Sequence, residues 1–186
     1  INPNLQNIPI ITNKGKLIRK CFTPRNKNYT LLCADYSQIE LRIIASLSGD
    51  TNMKAAFINN EDIHTSTAAR VFNINIDEVN EEQRRNAKIV NFGIIYGVSA
   101  FGLSNQTGLS RSESKEIIDN YFKSYPKLKE YMNNQISFAR EKGYVETILK
   151  RKRYLPEINS RNAILRSSAE RNAINTPVQG SAADII

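Results

Sequence analysis

The stretch RRNAKIVNFGIIYG, from Arg84 to Gly97, sets Arg84, Lys88, Phe92 and Tyr96 at four-residue steps. On an α-helix such residues lie on nearly the same side, each step drifting by only about 40°. The segment therefore calls for a helix bearing one slowly winding stripe of two cations followed by two aromatics. A stripe whose first half is charged cannot be a core face, so any fold that accepts this chain must keep that side open. Gly93 and Gly97 thin the helix beside the aromatics, and Ala87 and Asn91 add little bulk, which predicts room for a planar group. Two readings stand: a solvated helix face, or a surface where cations meet phosphates and aromatic rings meet a base or sugar.

The same 3.6-residue period recurs along much of the chain. Ile39, Leu41, Ile43, Ile44, Ala45 and Leu47 predict a largely buried helix over Gln38–Leu47, stopped by Gly49. Further helices are expected at Thr51–Phe57, Ile63–Val71, Glu81–Tyr96, Arg111–Tyr125 and Leu128–Lys142, with Pro126 ending one run. Helix returns from Arg161, where Pro177 is expected to kink or interrupt it. Apolar runs at Leu17–Phe22 and Tyr29–Tyr36 flank the turn-like TPRNKN and predict two antiparallel strands, the second ending on Asp35. GYVETILKRKRYLP breaks the helical period and predicts a hairpin. The class is α+β, helix-dominated, with a small antiparallel sheet and no internal repeat.

At 186 residues the chain is long enough to bury a core without a disulfide or metal staple. Cys21 and Cys33 lack CxxC spacing, so buried, reduced thiols in a reducing, intracellular setting are expected. No apolar run approaches the roughly 20 residues needed to span a membrane. The opening INPNLQNIP has no signal-peptide pattern, and it and the closing QGSAADII suggest a piece of a longer protein. A formal charge of +8 favours anionic partners, nucleic acid ahead of membrane or acidic protein.

Asp35 follows four mainly apolar residues in LLCADYSQIELR, so its carboxylate either meets a cation, a metal included, or caps the helix beginning near Ser37. Glu40 is either a solvated first-turn acid or part of the same site. His64 is the only histidine, which excludes two-histidine chemistry; in a first helical turn it is more often structural than catalytic. GxSxG and P-loop patterns are absent, and GLSNQTGL has the wrong spacing for a nucleotide cradle. Arg171, Asn175 and Gln179 repeat the four-residue step with side chains suited to base edges, minor-groove acceptors included, or to a polar helix face. Lys150, Arg151, Lys152 and Arg153 at the hairpin tip suit phosphate backbone or solvent.

Six strings, NPNLQNIP, ADYSQIELRIIASLSGD, DIHTSTA, RRNAKIVNFGIIYG, YVET with RKRYLP, and ERNAINTPVQGSAADI, run in order across essentially the whole chain. Together they resemble the family A, or DNA polymerase I type, DNA polymerases. The resemblance implies part of a right-hand polymerase fold. Residues 1–50 form a palm portion with its small antiparallel sheet, 51–142 form helical fingers, and 143–186 form a basic hairpin and a helix returning to the palm. It implies a DNA-directed DNA polymerase, a nucleotidyltransferase of replication or repair. Such an enzyme adds deoxynucleoside 5'-triphosphates to a primer 3'-OH with two Mg2+ ions. It further implies primer-template DNA and deoxynucleoside triphosphates as partners, no membrane, a monomer, and a cytoplasmic, nucleoid-associated bacterial setting, with organellar or phage origin open.

Carried over by motif, Asp35 is the first catalytic carboxylate and a metal ligand, with the Tyr36 main-chain carbonyl beside it. Glu40 is a steric gate against a ribose 2'-OH, while Gln38 and His64 line the triphosphate. Arg84 and Lys88 contact phosphates, and Lys88 also protonates the leaving pyrophosphate; Phe92 packs on sugar and base, and Tyr96 lies at the templating position. Arg171, Asn175 and Gln179 read the minor groove, and Asn7 contacts the duplex. Some features depart from the pattern. The family's His-Asp-Glu motif, with its second catalytic carboxylate, does not occur within these residues, nor does its Thr-Gly-Arg segment, so the isolated chain is expected to be inactive. Ile11 replaces a common basic residue, Lys150 replaces a glycine, and Phe92 rather than Tyr implies discrimination against dideoxynucleotides. Two rivals are a catalytically dead nucleic-acid-binding module, and a nucleotide-binding regulatory domain that never touches a primer.

Overall fold

A computed structural model describes residues 8, 9, 12–32 and 34–186. They fall into two compact units, one ending at Ser37 and the other running from Gln38 to Ile186. In the first, helix α1 (Asn13–Lys20) starts where Thr12 Oγ1 accepts the Gly15 N–H at 3.1 Å, and Arg19 and Lys20 oppose its C-terminal dipole. The strand expected over Leu17–Phe22 is therefore mostly helix, and the described residues of the expected partner strand, 29–32 and 34–36, are irregular. Tyr29, Leu31 and Leu32 are 58%, 62% and 90% exposed, so the second run has no apolar cover in this unit, and a strand pair without a covered face is marginal. Cys21 is exposed rather than buried, while Cys33 lies outside the described residues.

The second unit is helical because its caps and its apolar periods agree. Asp50, Asp62, Asn80, Ser99, Ser110 and Asn162 each stand one residue before a helix and accept its first free backbone N–H groups. The helices are α2 (Ile39–Ser48), α3 (Thr51–Ile58), α4 (Ile63–Phe72), α5 (Glu81–Ile95), α6 (Ala100–Thr107), α7 (Arg111–Ser124), α8 (Pro126–Lys142) and α9 (Ala163–Ile185). Only α6 has no counterpart among the expected elements of this unit. Gln38, in a left-handed conformation (φ 55°), is the residue before α2, so Asp35 does not cap that helix. Helix α9 continues through Pro177 without interruption.

Between α8 and α9 a hairpin pairs β1 (Tyr144–Glu146) with β2 (Lys152–Tyr154), in the register Tyr144 to Tyr154, Val145 to Arg153 and Glu146 to Lys152. Lys150 takes the left-handed turn position at φ 64°, a conformation that favours glycine, the residue the resemblance leads one to expect there. The main core gathers Leu41, Ile44, Met53, Ile63, Val90, Ile95, Leu103 and Leu128 from six helices, with the buried rings of Tyr121 and Tyr125. A smaller cluster of Ala139, Val145, Leu155, Ile158, Ala169 and Ala173 seats the hairpin on α8 and α9. Helix α5 packs along α4, against α6 and α7, and so its open side is set by three neighbours. No helix among the described residues is long and apolar enough to cross a membrane.

Candidate functional site

Helix α5 buries Asn86, Ala87, Val90, Asn91, Ile94 and Ile95, and turns the Arg84, Lys88, Phe92 and Tyr96 line away from that face. Lys88 and Arg84 are exposed, Phe92 and Tyr96 half-buried. An open groove beside the stripe measures 470 Å³, within the roughly 300–1,000 Å³ of small-molecule sites, and is lined by Arg85, Lys88, Ile89, Phe92, Gly93, Tyr96, Val98 and Gln106. The glycines act differently from the sequence expectation. A Cβ on Gly93 would lie 2.8 Å from Val98 Cγ1, and one on Gly97 (φ 72°) would lie 2.8 Å from Arg171 Cγ. The space they leave admits Val98 and the Arg171 stem, which pack against them.

At the N-terminal end of the stripe, Arg84 donates from Nη2 and Nε to one oxygen of Asp62, at 2.6 and 3.2 Å. The other Asp62 oxygen accepts the N–H groups of His64 and Thr65 and starts α4. Burial raises the Asp62 pKa, but the Arg84 bond and charge and the two N–H groups outweigh it and hold the carboxyl below its usual range. His64 is 3% exposed, its ring 5.9 Å from that of Phe92. Burial pushes its pKa down; Asp62 opposes this, and the Arg84 and Lys88 charges add to it, so the imidazole is neutral at pH 7. Its Nδ1 lies 3.1 Å from Asn91 Nδ2.

At the other end, the Tyr96 hydroxyl donates to Glu40 Oε2 at 2.5 Å, and Gln179 reaches the same hydroxyl. Burial and the Glu40 carboxylate raise the Tyr96 pKa. Arg171 donates to Ser167 Oγ at 3.4 Å while its stem crosses Gly97. Asn175 Oδ1 is buried with no hydrogen-bond partner among the described residues. The second unit thus joins Arg84 and His64 at one end of the stripe, and Glu40, Tyr96, Gln179 and the Arg171 stem at the other. Gln38 lies immediately before α2.

Asp35 and Tyr36 belong to the first unit and are exposed. Asn7 lies outside the described residues. The basic hairpin is largely engaged by protein. Arg151 pairs with Asp184 and donates to Gly180 O at 2.9 Å, Arg153 donates to Thr176 Oγ1 at 3.1 Å, and Lys152 sits 4.3 Å from the centre of the Tyr144 ring. Asp62, Arg85, Gln106 and Asn91 are members of this site that the sequence reading did not assign. Asn91 carried a usable signal, being the one polar residue in the apolar string from Ile89 to Ile95 apart from Gly93.

A model of DNA polymerase family A matches residues 1–186. DNA polymerase I of Streptococcus pneumoniae is 56% identical over 187 aligned residues, covering all of this chain and 21% of that protein. DNA polymerase I of Bacillus subtilis is 52% identical over 185, again covering all of this chain and 21% of that protein. The chain therefore spans about a fifth of the length of the curated relatives it matches. A solved structure, the POL domain of Pol1 from M. smegmatis in complex with DNA primer-template and dNTP, superposes with a TM-score of 0.88 at 45% identity. It covers 98% of this chain, which in turn covers 32% of it.

Proposed function

The chain belongs to DNA polymerase family A, and on that premise we propose that it supplies the nucleotide-handling helix and one catalytic carboxylate of a template-directed DNA polymerase. The partners are primer-template DNA and deoxynucleoside triphosphates, and the setting is cytoplasmic and nucleoid-associated. The observation that carries this reading is the α5 stripe, whose members Lys88, Phe92 and Tyr96 line the 470 Å³ groove. Arg84 and Lys88 neutralise the triphosphate, and Lys88 delivers a proton to the departing pyrophosphate. Arg84 has capacity for this while paired, because a guanidinium carries five N–H donors and Asp62 engages only Nε and Nη2.

Phe92 packs on the sugar and base, and Tyr96 stands at the templating position. Glu40, held by the Tyr96 hydroxyl, blocks a ribose 2'-OH, so the sugar check and the template position share one hydrogen bond. Gln38 and His64 line the phosphates. Arg171, Asn175 and Gln179 on α9 read the minor groove of the growing duplex, and Asn7 adds a duplex contact.

Asp35, exposed and followed by the Tyr36 carbonyl, offers the hard oxygen donors that Mg2+ takes. Among the described residues no group of three or more His, Cys, Asp or Glu gathers into a metal site, so Asp35 is one ligand and not a complete centre. Bound at a complete site, Mg2+ supplies Lewis-acid activation of the primer 3'-OH and charge stabilisation at the pyrophosphate.

The test is salt-dependent binding of primer-template DNA by this chain. A linear fall of log K with log salt, with a slope reporting several phosphates, is expected. Salt-independent binding, or none at low salt, defeats the DNA reading.

A further inference from the structure

The buried face of α5, beside the Arg84 end of the stripe, carries Asn91, which has no exposed surface. Its Oδ1 accepts from Thr67 Oγ1 at 3.2 Å and from the Tyr121 hydroxyl at 3.1 Å. Thr67 Oγ1 lies 3.2 Å from the Tyr125 hydroxyl, which donates to it once the Thr67 proton is committed to Asn91. The remaining end of the amide, Nδ2, faces His64 Nδ1 at 3.1 Å. Reversing the amide would leave the proton of the fully buried Tyr121 hydroxyl with no acceptor among the described residues, a costly loss for a group with no exposed surface. The network therefore fixes which end of Asn91 meets the histidine.

An amide nitrogen only donates, so Nδ1 of His64 must be the unprotonated acceptor, and the proton of the neutral ring sits on Nε2. Nε2 has no hydrogen-bond partner among the described residues, and the ring lies against Phe92 of the stripe. We propose that Asn91 is a positioning residue that holds His64 as a neutral Nε2–H donor for the phosphates of a nucleotide lying on the α5 stripe. The phosphate half of this statement rests on the function proposed above; the tautomer half does not. The charged and titratable groups around the ring fit a neutral donor: Arg84 and Lys88 from α5 disfavour the imidazolium, Asp62 at the start of α4 favours it, and Tyr121 and Tyr125 from the α7 side are neutral phenols. Between two cations, an uncharged donor adds a hydrogen bond to an anion without adding like-charge repulsion.

The chain has a single histidine, so a long-range 15N–1H imidazole spectrum reads this ring alone. At pH 7 the unchanged chain should show one tautomer, with a pyridine-like Nδ1 and a pyrrole-like Nε2. In the Thr67→Val, Tyr121→Phe double variant the amide is free to turn, and the two nitrogens should move toward a tautomer average. Asn91→Asp replaces the donor by an acceptor; it should place the proton on Nδ1 and make the ring titrate at higher pH. An imidazolium or an Nδ1–H tautomer in the unchanged chain overturns the proposal, whatever the variants' folding. So does an Nε2–H tautomer that survives unchanged in a folded double variant. Inorganic tripolyphosphate should shift the Nε2 proton of the unchanged chain; an unmoved resonance with the expected tautomer would sink the phosphate reading and leave the role of Asn91 intact.

Discussion

Asp62 does two jobs with two oxygens, and a pair of substitutions separates them. Asp62→Asn keeps a side-chain oxygen to accept the His64 and Thr65 N–H groups, because Asn caps a helix as well as Asp does. It removes only the charge that pairs with Arg84. Both partners are about half exposed, at 46% and 40%, so after solvent screening that pair is worth about 0.2–1 kcal/mol. Asp62→Ala loses the cap as well, about 1 kcal/mol more. Denaturant unfolding at pH 7 should therefore order the chains as unchanged, Asn, Ala, with steps of these sizes.

The acid limb gives the sign. The folded Asp62 carboxyl is held below its unfolded value, near 4. Its contribution is present above that unfolded pKa and is lost as pH falls through the folded one. The unchanged chain should thus lose its advantage over Asp62→Asn on acidification below about pH 4, and the two should converge once the pH has fallen through the lowered folded pKa. In a full-length family A polymerase carrying this chain's sequence, freeing Arg84 from its carboxylate should raise the KM for deoxynucleoside triphosphate about 3- to 10-fold, equivalent to about 0.7–1.4 kcal/mol, if the proposed function holds. A KM that falls instead would mean that Asp62 competes with the phosphates for Arg84, and would refute its orienting role.

Lys150→Gly should stabilise the chain by about 0.5–1 kcal/mol in the same unfolding assay, since a lysine at φ 64° is strained and its ion pair with Glu146 is exposed. Asp50→Ala should cost about 2–4 kcal/mol. The buried carboxylate caps α3 through Asn52 and Met53, and accepts the Lys127 N–H that opens α8. In a full-length family A polymerase carrying this chain's sequence, Phe92→Tyr should increase incorporation of dideoxynucleotides, measured by chain termination; equal sensitivity would defeat the role proposed for Phe92. The 186-residue chain alone should not extend a primer, and robust extension in a gel assay would show that Asp35 needs no second carboxylate from elsewhere.

The helices of the second unit were legible because cap, period and stop coincide. The run from Ile39 to Ser48 has its apolar face and its Gly49, and the run from Glu81 has its Asn80 and Gln83 capping box. Helix α6 was not, because AFGLSNQT offers one fully buried residue, Leu103, and no apolar period. The strands predicted before Asp35 failed for a reason a local pattern does not contain: β-propensity becomes a strand only where a partner edge and a covering face exist. The hairpin from Tyr144 formed because Val145 and Leu155 had α8 and α9 to pack on. The cationic and aromatic stripe was readable from spacing alone. Its partners Asp62 and Gln179 come from remote segments, and no periodicity announces them.

That asymmetry bears on how α5 works. One side of the helix carries groups that meet solvent and groove; the other carries Asn91 amid Val90, Ile94 and Ile95, tied to α4 through Thr67 and to α7 through Tyr121. Arg84 is tied to α4 as well, through Asp62. Two polar links, seven residues apart on the side of α5 that meets α4, therefore converge on His64, one through its backbone N–H and one through its ring. A displacement of α5 against α4 would strain both links together, so the stripe and the histidine move as one piece or one of the bonds breaks. The apolar contacts between the two helices slide at little cost, whereas the buried Asn91 amide has one satisfied arrangement. Register between the cations and His64 is thus set by the polar contacts, and a substitution at Thr67 or Tyr121, neither of which lines the groove, is felt at the stripe through Asn91.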